Sequence, residues 1–421
     1  MDRSLPTELG VEDMYVVSLV LSDFRAIAKS NIEFIHPLSA ESDSRELPNI
    51  NLLVGTNGGG KSTILKAIAA AALGNEVNLE DITGDAVLQW PRIGGTGDCF
   101  AELTYVETTG APGEATPSAR RSRQFTTEKL AITAAGVQHS HDDEVGTAGR
   151  NLNLFGYGPL RLTSSELDMS HALDPESMVA NLFESDPRLF APEEWLPDVG
   201  VDRIGEINVL MPPDTLLTGE LKEGQVEVEN RGLKVARGML SDGIQSYMAW
   251  VLDLIFRLIR LSADGDFKGV IGTVLVDEVD QRMHPQWQQV ALRRLADGLP
   301  NIQFICSAHS PLLAGGLRPE NLTVLEPDHN APGEGAMKAS HLTEDIFGKT
   351  ADGVLTSSYF NLASSRSETF RQQLLTLAEA ARTIDEAAVE FMQMLTAGSS
   401  DDIRVRSEIV RRPDRLRKRR Q

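Results

Sequence analysis

Eight consecutive residues, Gly55-Thr56-Asn57-Gly58-Gly59-Gly60-Lys61-Ser62, have the G-x4-G-K-[ST] spacing of a phosphate-binding loop. Glycines leave room for backbone N–H groups to turn inward around phosphate oxygens, which β-carbons would obstruct. In such a loop Lys61 reaches the β- and γ-phosphates of a nucleoside triphosphate, and the Ser62 hydroxyl ligates Mg²⁺. The candidate nucleotide-binding residues are therefore Gly55, Asn57, Gly58, Gly59, Gly60, Lys61, Ser62 and Thr63. A second segment lies 216 residues after Lys61, where Thr273-Val274-Leu275-Val276 runs into Asp277-Glu278. An apolar strand ending in two carboxylates suits Asp277 to holding Mg²⁺, directly or through water, and Glu278 to polarising the attacking water.

Two further segments have the types to complete such a site. Phe304-Ile305-Cys306-Ser307-Ala308-His309 delivers a histidine at a strand end, where a neutral imidazole contacts the γ-phosphate or the attacking water. Leu240-Ser241-Asp242-Gly243 precedes a long apolar helix. Ser241, the Gly243 amide and the helix N-terminus form an anion site that can meet the γ-phosphate of another subunit. Each segment also has an ordinary reading: a glycine-rich turn, a solvated acidic turn, a structural histidine, a capped helix start. Their occurrence together, the first after an apolar strand and before a helix, favours chemistry. The catalytic set is then Glu278, His309 and Lys61, with Ser62 and Asp277 on the metal and Ser241 and Gly243 on the nucleotide of a second copy.

The elements that must position these groups are legible around them. Residues 50–54 are a nearly continuous apolar run, as in a buried parallel strand, and residues 61–73 are alanine-rich and helix-favouring. Residues 15–21 and 32–35 read as strands, 248–259 repeat apolar residues at helical spacing, and 274–276 and 302–305 are buried-strand candidates separated by a helix. Residues 216–235 alternate polar and apolar residues between turn glycines, predicting a hairpin. Residues 110–150 are rich in Gly, Ser, Thr, Pro and charge, predicting an exposed excursion. His139, His141, Asp142, Asp143 and Glu144 fall there, a weak metal-ligand pattern. Residues 367–381 and 385–395 read as two closing helices.

The formal charge of −21 is uneven, because residues 404–420 carry nine basic and two acidic side chains. An acidic body argues against wrapping nucleic acid over the whole surface, while the +7 tail retains the capacity to touch phosphate. The start of the chain shows no basic stretch followed by an apolar one, no run approaches the roughly 20 apolar residues of a membrane span, and two distant cysteines make no disulfide framework. These features predict a cytoplasmic protein without membrane association.

The order of phosphate loop, Leu240-Ser241-Asp242-Gly243, Asp277-Glu278 and His309 resembles the ABC-type ATPases, whose signature begins Leu-Ser-Gly-Gly. Ser22-Asp23-Phe24-Arg25 ahead of the loop is similar to the start of RecF-like and SMC-like heads. Val276-Asp277-Glu278-Val279-Asp280 with His284-Pro285-Gln286-Trp287-Gln288, the Gly156–Arg161 turn, residues 182–196 and His309-Ser310-Pro311 resemble the AAA_21 group, which includes ATPase subunits of Septu-type and retron-associated antiphage systems. The resemblance implies an α/β P-loop head with a mixed sheet, an inserted subdomain and a helical C-terminal extension. The boundaries are a head over 1–340 with an insertion over about 75–235, an extension over 341–397 and a basic tail over 398–421. It further implies ATP and Mg²⁺ as ligands, a homodimer or higher oligomer closing on ATP, a nuclease or other effector partner encoded nearby, and contact with double-stranded DNA. Residues 15–24 are implied near adenine, and Gln89 as the nucleotide-sensing glutamine. No strand with paired aspartates follows Glu326, as a built-in metal-dependent nuclease domain would require. A transporter motor fits less well, since 178 positions separate Ser62 from Leu240. A binding switch with little turnover is disfavoured by Glu278.

Overall fold

The computed structural model describes residues 13–39, 46–74, 79–83, 87, 89–92, 95, 97–108, 123–133, 136–141, 153–183, 188–332, 335–362, 367–369 and 372. The chain divides into two compact units, Met1–Asn361 and Leu362–Gln421. The first carries the described fold and runs past residue 340. Most of the predicted closing helices and all of the basic tail lie outside the described residues.

The first unit opens with β1 (Asp13–Phe24), β2 (Ile27–Glu33) and β3 (Ile50–Gly55), followed by α1 (Lys61–Leu73) and α2 (Leu79–Thr83). Next come β4 (Cys99–Thr108), β5 (Arg123–Thr133), β6 (Gly136–His141) and β7 (Leu154–Tyr157). The insertion continues through β8 (Leu162–Ser164), α3 (Pro175–Phe183), β9 (Arg188–Phe190), α4 (Val201–Asn208), β10 (Thr215–Lys222), β11 (Gln225–Asn230) and β12 (Leu233–Ala236). The chain then returns through α5 (Asp242–Leu261), β13 (Gly272–Val276), α6 (Pro285–Gln288), α7 (Ala291–Gly298), β14 (Ile302–Ser307), α8 (Pro311–Ala314), β15 (Leu322–Pro327), β16 (Met337–Ser340) and α9 (Ala351–Leu355).

Eleven strands form one mixed sheet in the order β6-β5-β4-β1-β2-β16-β15-β3-β14-β13-β7. The segment β15-β3-β14-β13-β7 is parallel throughout, and β3, β7, β13 and β14 are buried almost end to end. Burial on both faces explains their unbroken apolar runs. Alternate side chains of β3 enter two different cores: Ile50, Leu52 and Val54 pack with α5, while Leu53 packs with α1. Ala67, Ala69, Ala70 and Ala71 of α1 have no exposed surface, and their small side chains let the helix lie close on the sheet. The phosphate loop, the Asp277-Glu278 turn and His309 follow the carboxyl ends of β3, β13 and β14, three neighbouring parallel strands. Such a sheet gathers a ligand site at that end.

Two expectations change. Within the excursion predicted over 110–150, residues 123–133 and 136–141 are strands of the main sheet, paired to β4 and to each other. Thr126, Leu130 and Ile132 point inward at period two; the polar flanks hid that alternation. The hairpin predicted over 216–235 is a three-stranded antiparallel sheet, β10-β11-β12. Its third strand follows a turn through Arg231 (φ 52°) and Gly232 (φ 80°).

Candidate functional site

The phosphate loop adopts the backbone that its glycines permit. Gly55, Gly58 and Gly60 have φ of 144°, 74° and 101°, values that L side chains avoid. A Cβ at Gly55 would also stand 2.7 Å from the Leu325 carbonyl oxygen, so the packing of β3 on β15 independently requires glycine there. α1 begins at Lys61 with no acidic residue in its first turn, which leaves its positive end facing the loop. The Lys61 ammonium folds back over the loop and donates to the carbonyls of Gly55 at 2.8 Å and Thr56 at 3.1 Å. It lies 3.4 Å from Nδ1 of His309. Burial pulls the Lys61 pKa below its usual value, and the negative charges of Asp277, Asp280 and Glu278 oppose that shift.

The carboxylates are set by strand register. β13 and β14 end in the pair Val276↔Cys306, which brings the next residues, Asp277 and Ser307, together. The Ser307 hydroxyl donates to the Asp277 carboxylate and accepts the Glu278 N–H at 2.8 Å. From the other side, buried Arg161 donates to the carbonyls of Asp277 at 2.6 Å and Glu278 at 3.2 Å. Burial lowers the Arg161 pKa to about 10, so it remains a cation at neutral pH. Between these clamps Glu278 sits at φ 47°, a left-handed conformation costing roughly 1–3 kcal/mol that its surroundings must hold. Asp280 accepts the His309 N–H at 2.9 Å, which ties the acidic turn to the histidine segment.

Asn57, Gly58, Gly59, Gly60, Lys61, Ser62, Thr63, Asp277, Glu278 and His309 line one cavity of about 1090 Å³, together with Arg25, Ala26, Gln89, Pro91, Arg92, Gly335 and Ala336. The donor set fits a Mg²⁺-triphosphate: amides, an ammonium and an arginine for phosphate oxygens, and Ser62 with Asp277 for a hard cation. Gln89 reaches this wall because Trp90 beside it is buried, its ring 5.3 Å from that of Phe24 and stacked at 6.1 Å on Phe183. Arg92 fixes the same segment through Asp23 at 2.8 Å and the Pro332 carbonyl at 2.9 Å.

Ser241 and Gly243 are not among the residues lining this cavity. Ser241 is the exposed N-cap of α5, and its side chain makes no capping hydrogen bond. The adenine-side expectation for residues 15–24 needs correction. Tyr15 and Phe24 have no exposed surface, and the Tyr15 hydroxyl donates to the Asn301 carbonyl. β1 is an interior strand, and the turn after it, Arg25-Ala26, borders the cavity instead. Of the weak metal pattern, His139 lies on β6 with both ring nitrogens buried and unpaired. No group of three or more metal-ligating side chains occurs among the described residues, and Asp142, Asp143 and Glu144 fall outside them. Sequence reasoning included Ser307 and Arg25 within longer segments but gave them no role. Ser307, two residues before His309 at the end of a strand parallel to β13, carried the recognisable signal.

The chain is similar to known proteins. Residues 18–155 match a family described as "AAA domain" (AAA_23), and residues 160–315 match AAA_21, described as "AAA domain, putative AbiEii toxin, Type IV TA system". The chain is similar to "Septu protein PtuA" of Bacillus mycoides (strain KBAB4), 26% identical over 83% of this chain and 45% of that protein. It is also similar to "Retron Vc95 probable ATPase" of Vibrio cholerae serotype O1 biovar El Tor, 35% identical over 30% of this chain and 24% of that one. The chain thus spans less than half the length of these relatives. Among solved structures, an SMC head bound to the C-winged helix domain of ScpA aligns at TM-score 0.46 and 14% identity, over 78% of this chain and 97% of that one. Among the described residues, no helix is long and apolar enough to cross a membrane.

Proposed function

We propose that this chain, whose residues 18–155 and 160–315 match two AAA domain families, binds and hydrolyses Mg²⁺-ATP, closes on it as a homodimer, and signals to a partner effector in antiphage defence or DNA transactions. The observation that carries the proposal is the convergence of Lys61, Asp277, Glu278 and His309 on one cavity while Ser241 and Gly243 stand outside it. One subunit then offers half of a complete site, and a second copy supplies the uncapped N-terminus of α5.

In this reading the loop amides and Lys61 hold the β- and γ-phosphates, and Ser62 and Asp277 are the residues that would hold Mg²⁺. The metal supplies positive charge against the transferred phosphoryl group. Glu278 orients and polarises the attacking water, and the His309 imidazole, near Lys61, contacts the γ-phosphate. Arg161 and Ser307 keep Glu278 in its strained position without touching substrate. The cytoplasm is the compartment proposed. The defence role rests on similarity to Septu and retron ATPases, which this chain matches over only part of their length.

The test is ATP hydrolysis by the purified chain with and without linear double-stranded DNA, with Glu278→Gln as the blank. Stimulation by DNA would assign nucleic-acid sensing, and turnover indifferent to DNA would direct the search to a protein regulator. Absence of nucleotide binding by the wild type would refute the proposal.

A further inference from the structure

The segment proposed to meet the nucleotide of a second copy touches, within its own subunit, the turn that carries Glu278. Gly243 lies in the first turn of α5 against the backbone of Arg282. A Cβ at Gly243 would stand 2.0 Å from the Arg282 carbonyl oxygen and 3.0 Å from its carbonyl carbon. Contacts that short do not occur between packed atoms, so only glycine allows the helix start to sit on this turn.

Arg282 closes a turn that begins at Glu278. The Gln281 N–H donates to the Glu278 carbonyl at 3.0 Å, and the Met283 N–H donates to the Asp280 carbonyl at 3.2 Å. Glu278 at φ 47° and Arg282 at φ 57° both have left-handed backbone, which leaves the turn little slack. Val279 and Met283 are buried in the core packed by α5, and Asp280 holds the His309 N–H. A push on Arg282 therefore reaches Glu278 rather than dissipating in a loose loop.

We propose that Gly243 and the Arg282 main chain form a lever inside each subunit, so that docking of Ser241-Gly243 on ATP held by the facing copy sets Glu278 of the docking subunit. Gly243 is a positioning residue, acting through Arg282. The two ATP sites of the dimer are then coupled, because each base is set by the nucleotide in the opposite site. The lever rests on the dimer proposed above.

A mixed dimer separates the two claims. One subunit carries Glu278→Gln, which silences its own site while ATP stays bound there. The other subunit is wild type in one preparation and Gly243→Ala in the second. The remaining active site uses the loop and Glu278 of that other subunit and the intact signature of the silenced one, so Gly243→Ala touches no nucleotide in it. The lever predicts at least a tenfold fall in kcat with KM for ATP unchanged, measured at concentrations where light scattering gives the dimer mass. Equal kcat in the two preparations overturns it. Should the Gly243→Ala chain not fold, Ser241→Ala in the same subunit serves in its place, since the Ser241 side chain makes no capping hydrogen bond in its own subunit and its loss weakens only the docking on the ATP of the silenced site. There too kcat falls with KM unchanged, and an unchanged kcat overturns the lever. Failure of Glu278→Gln to form any ATP-dependent dimer refutes the dimer itself, and the lever with it.

Discussion

Ser307→Ala deletes one buried oxygen and, with it, both hydrogen bonds that the hydroxyl makes to the Asp277-Glu278 turn, while the Val279 N–H keeps its bond to the Ser307 carbonyl. The hydroxyl donates to the Asp277 carboxylate and accepts the Glu278 N–H, and Ser307 has no exposed surface, so no water replaces it without repacking. A hydrogen bond to a charged group contributes about 1.5–3 kcal/mol and a neutral one about 0.5–1.5 kcal/mol. Together they predict a stability loss of about 2–4.5 kcal/mol. The effect on turnover is separable. Glu278 stores roughly 1–3 kcal/mol in its left-handed backbone, and without the Ser307 hydroxyl its N–H loses that partner while Arg161 still holds its carbonyl from the other side. If that strain relaxes and must be rebuilt in each cycle, kcat falls about tenfold to a hundredfold, at roughly 1.4 kcal/mol per decade. Urea unfolding reads the first quantity and phosphate release at saturating ATP reads the second. Ser307→Thr keeps the hydroxyl on a strand that accepts β-branching, and recovers most of both. A Ser307→Ala protein within about 0.5 kcal/mol of wild-type stability and with full turnover would refute the reasoning.

Other outcomes follow from the same geometry. Lys61→Ala abolishes nucleotide binding, read by fluorescent-nucleotide titration, because the loop loses its only lysine. Asp253→Ala strips the buried Arg257 of its partner at 2.7 Å and also frees the Tyr157 hydroxyl and the Phe190 N–H; the cost is about 3–5 kcal/mol in denaturant unfolding. Burial lowers the His139 pKa to about 4, below its unfolded value near 6.5. The unfolded chain takes up the proton first, so His139 costs no stability above pH 6.5 and progressively destabilises the fold as pH falls towards 4. His139→Phe flattens the stability profile in that window, and an unchanged profile would discount this histidine.

Much of the site was readable because its chemistry constrains the residue type at each position. Glycines with left-handed φ, a lysine at the helix start, and carboxylates after an apolar strand leave few substitutes, so the spacing around Lys61 and Asp277 pointed to their places. Strands β13 and β14 were legible as unbroken apolar runs for the same reason that they are buried on both faces. The supports were harder to see. Ser307 and Arg161 act through backbone carbonyls and amides, which impose no spacing of their own, and Ser307 becomes recognisable only once the Val276↔Cys306 register is known. β5 and β6 were masked by polar flanks, although Thr126, Leu130 and Ile132 keep an inward alternation. Residues 15–24 were placed beside the nucleotide by resemblance, yet β1 is an interior strand with Val16, Leu19, Leu21 and Phe24 in the core.

The central claim is that the cavity around Lys61 hydrolyses ATP with Glu278 as the base. Its most direct test is phosphate release from Mg²⁺-ATP by the wild type and by Glu278→Gln, with bound nucleotide and molecular mass measured on the same samples. The account predicts turnover by the wild type, and a Glu278→Gln protein that retains ATP, releases no phosphate and accumulates as a dimer. Wild-type phosphate release by Glu278→Gln would contradict it.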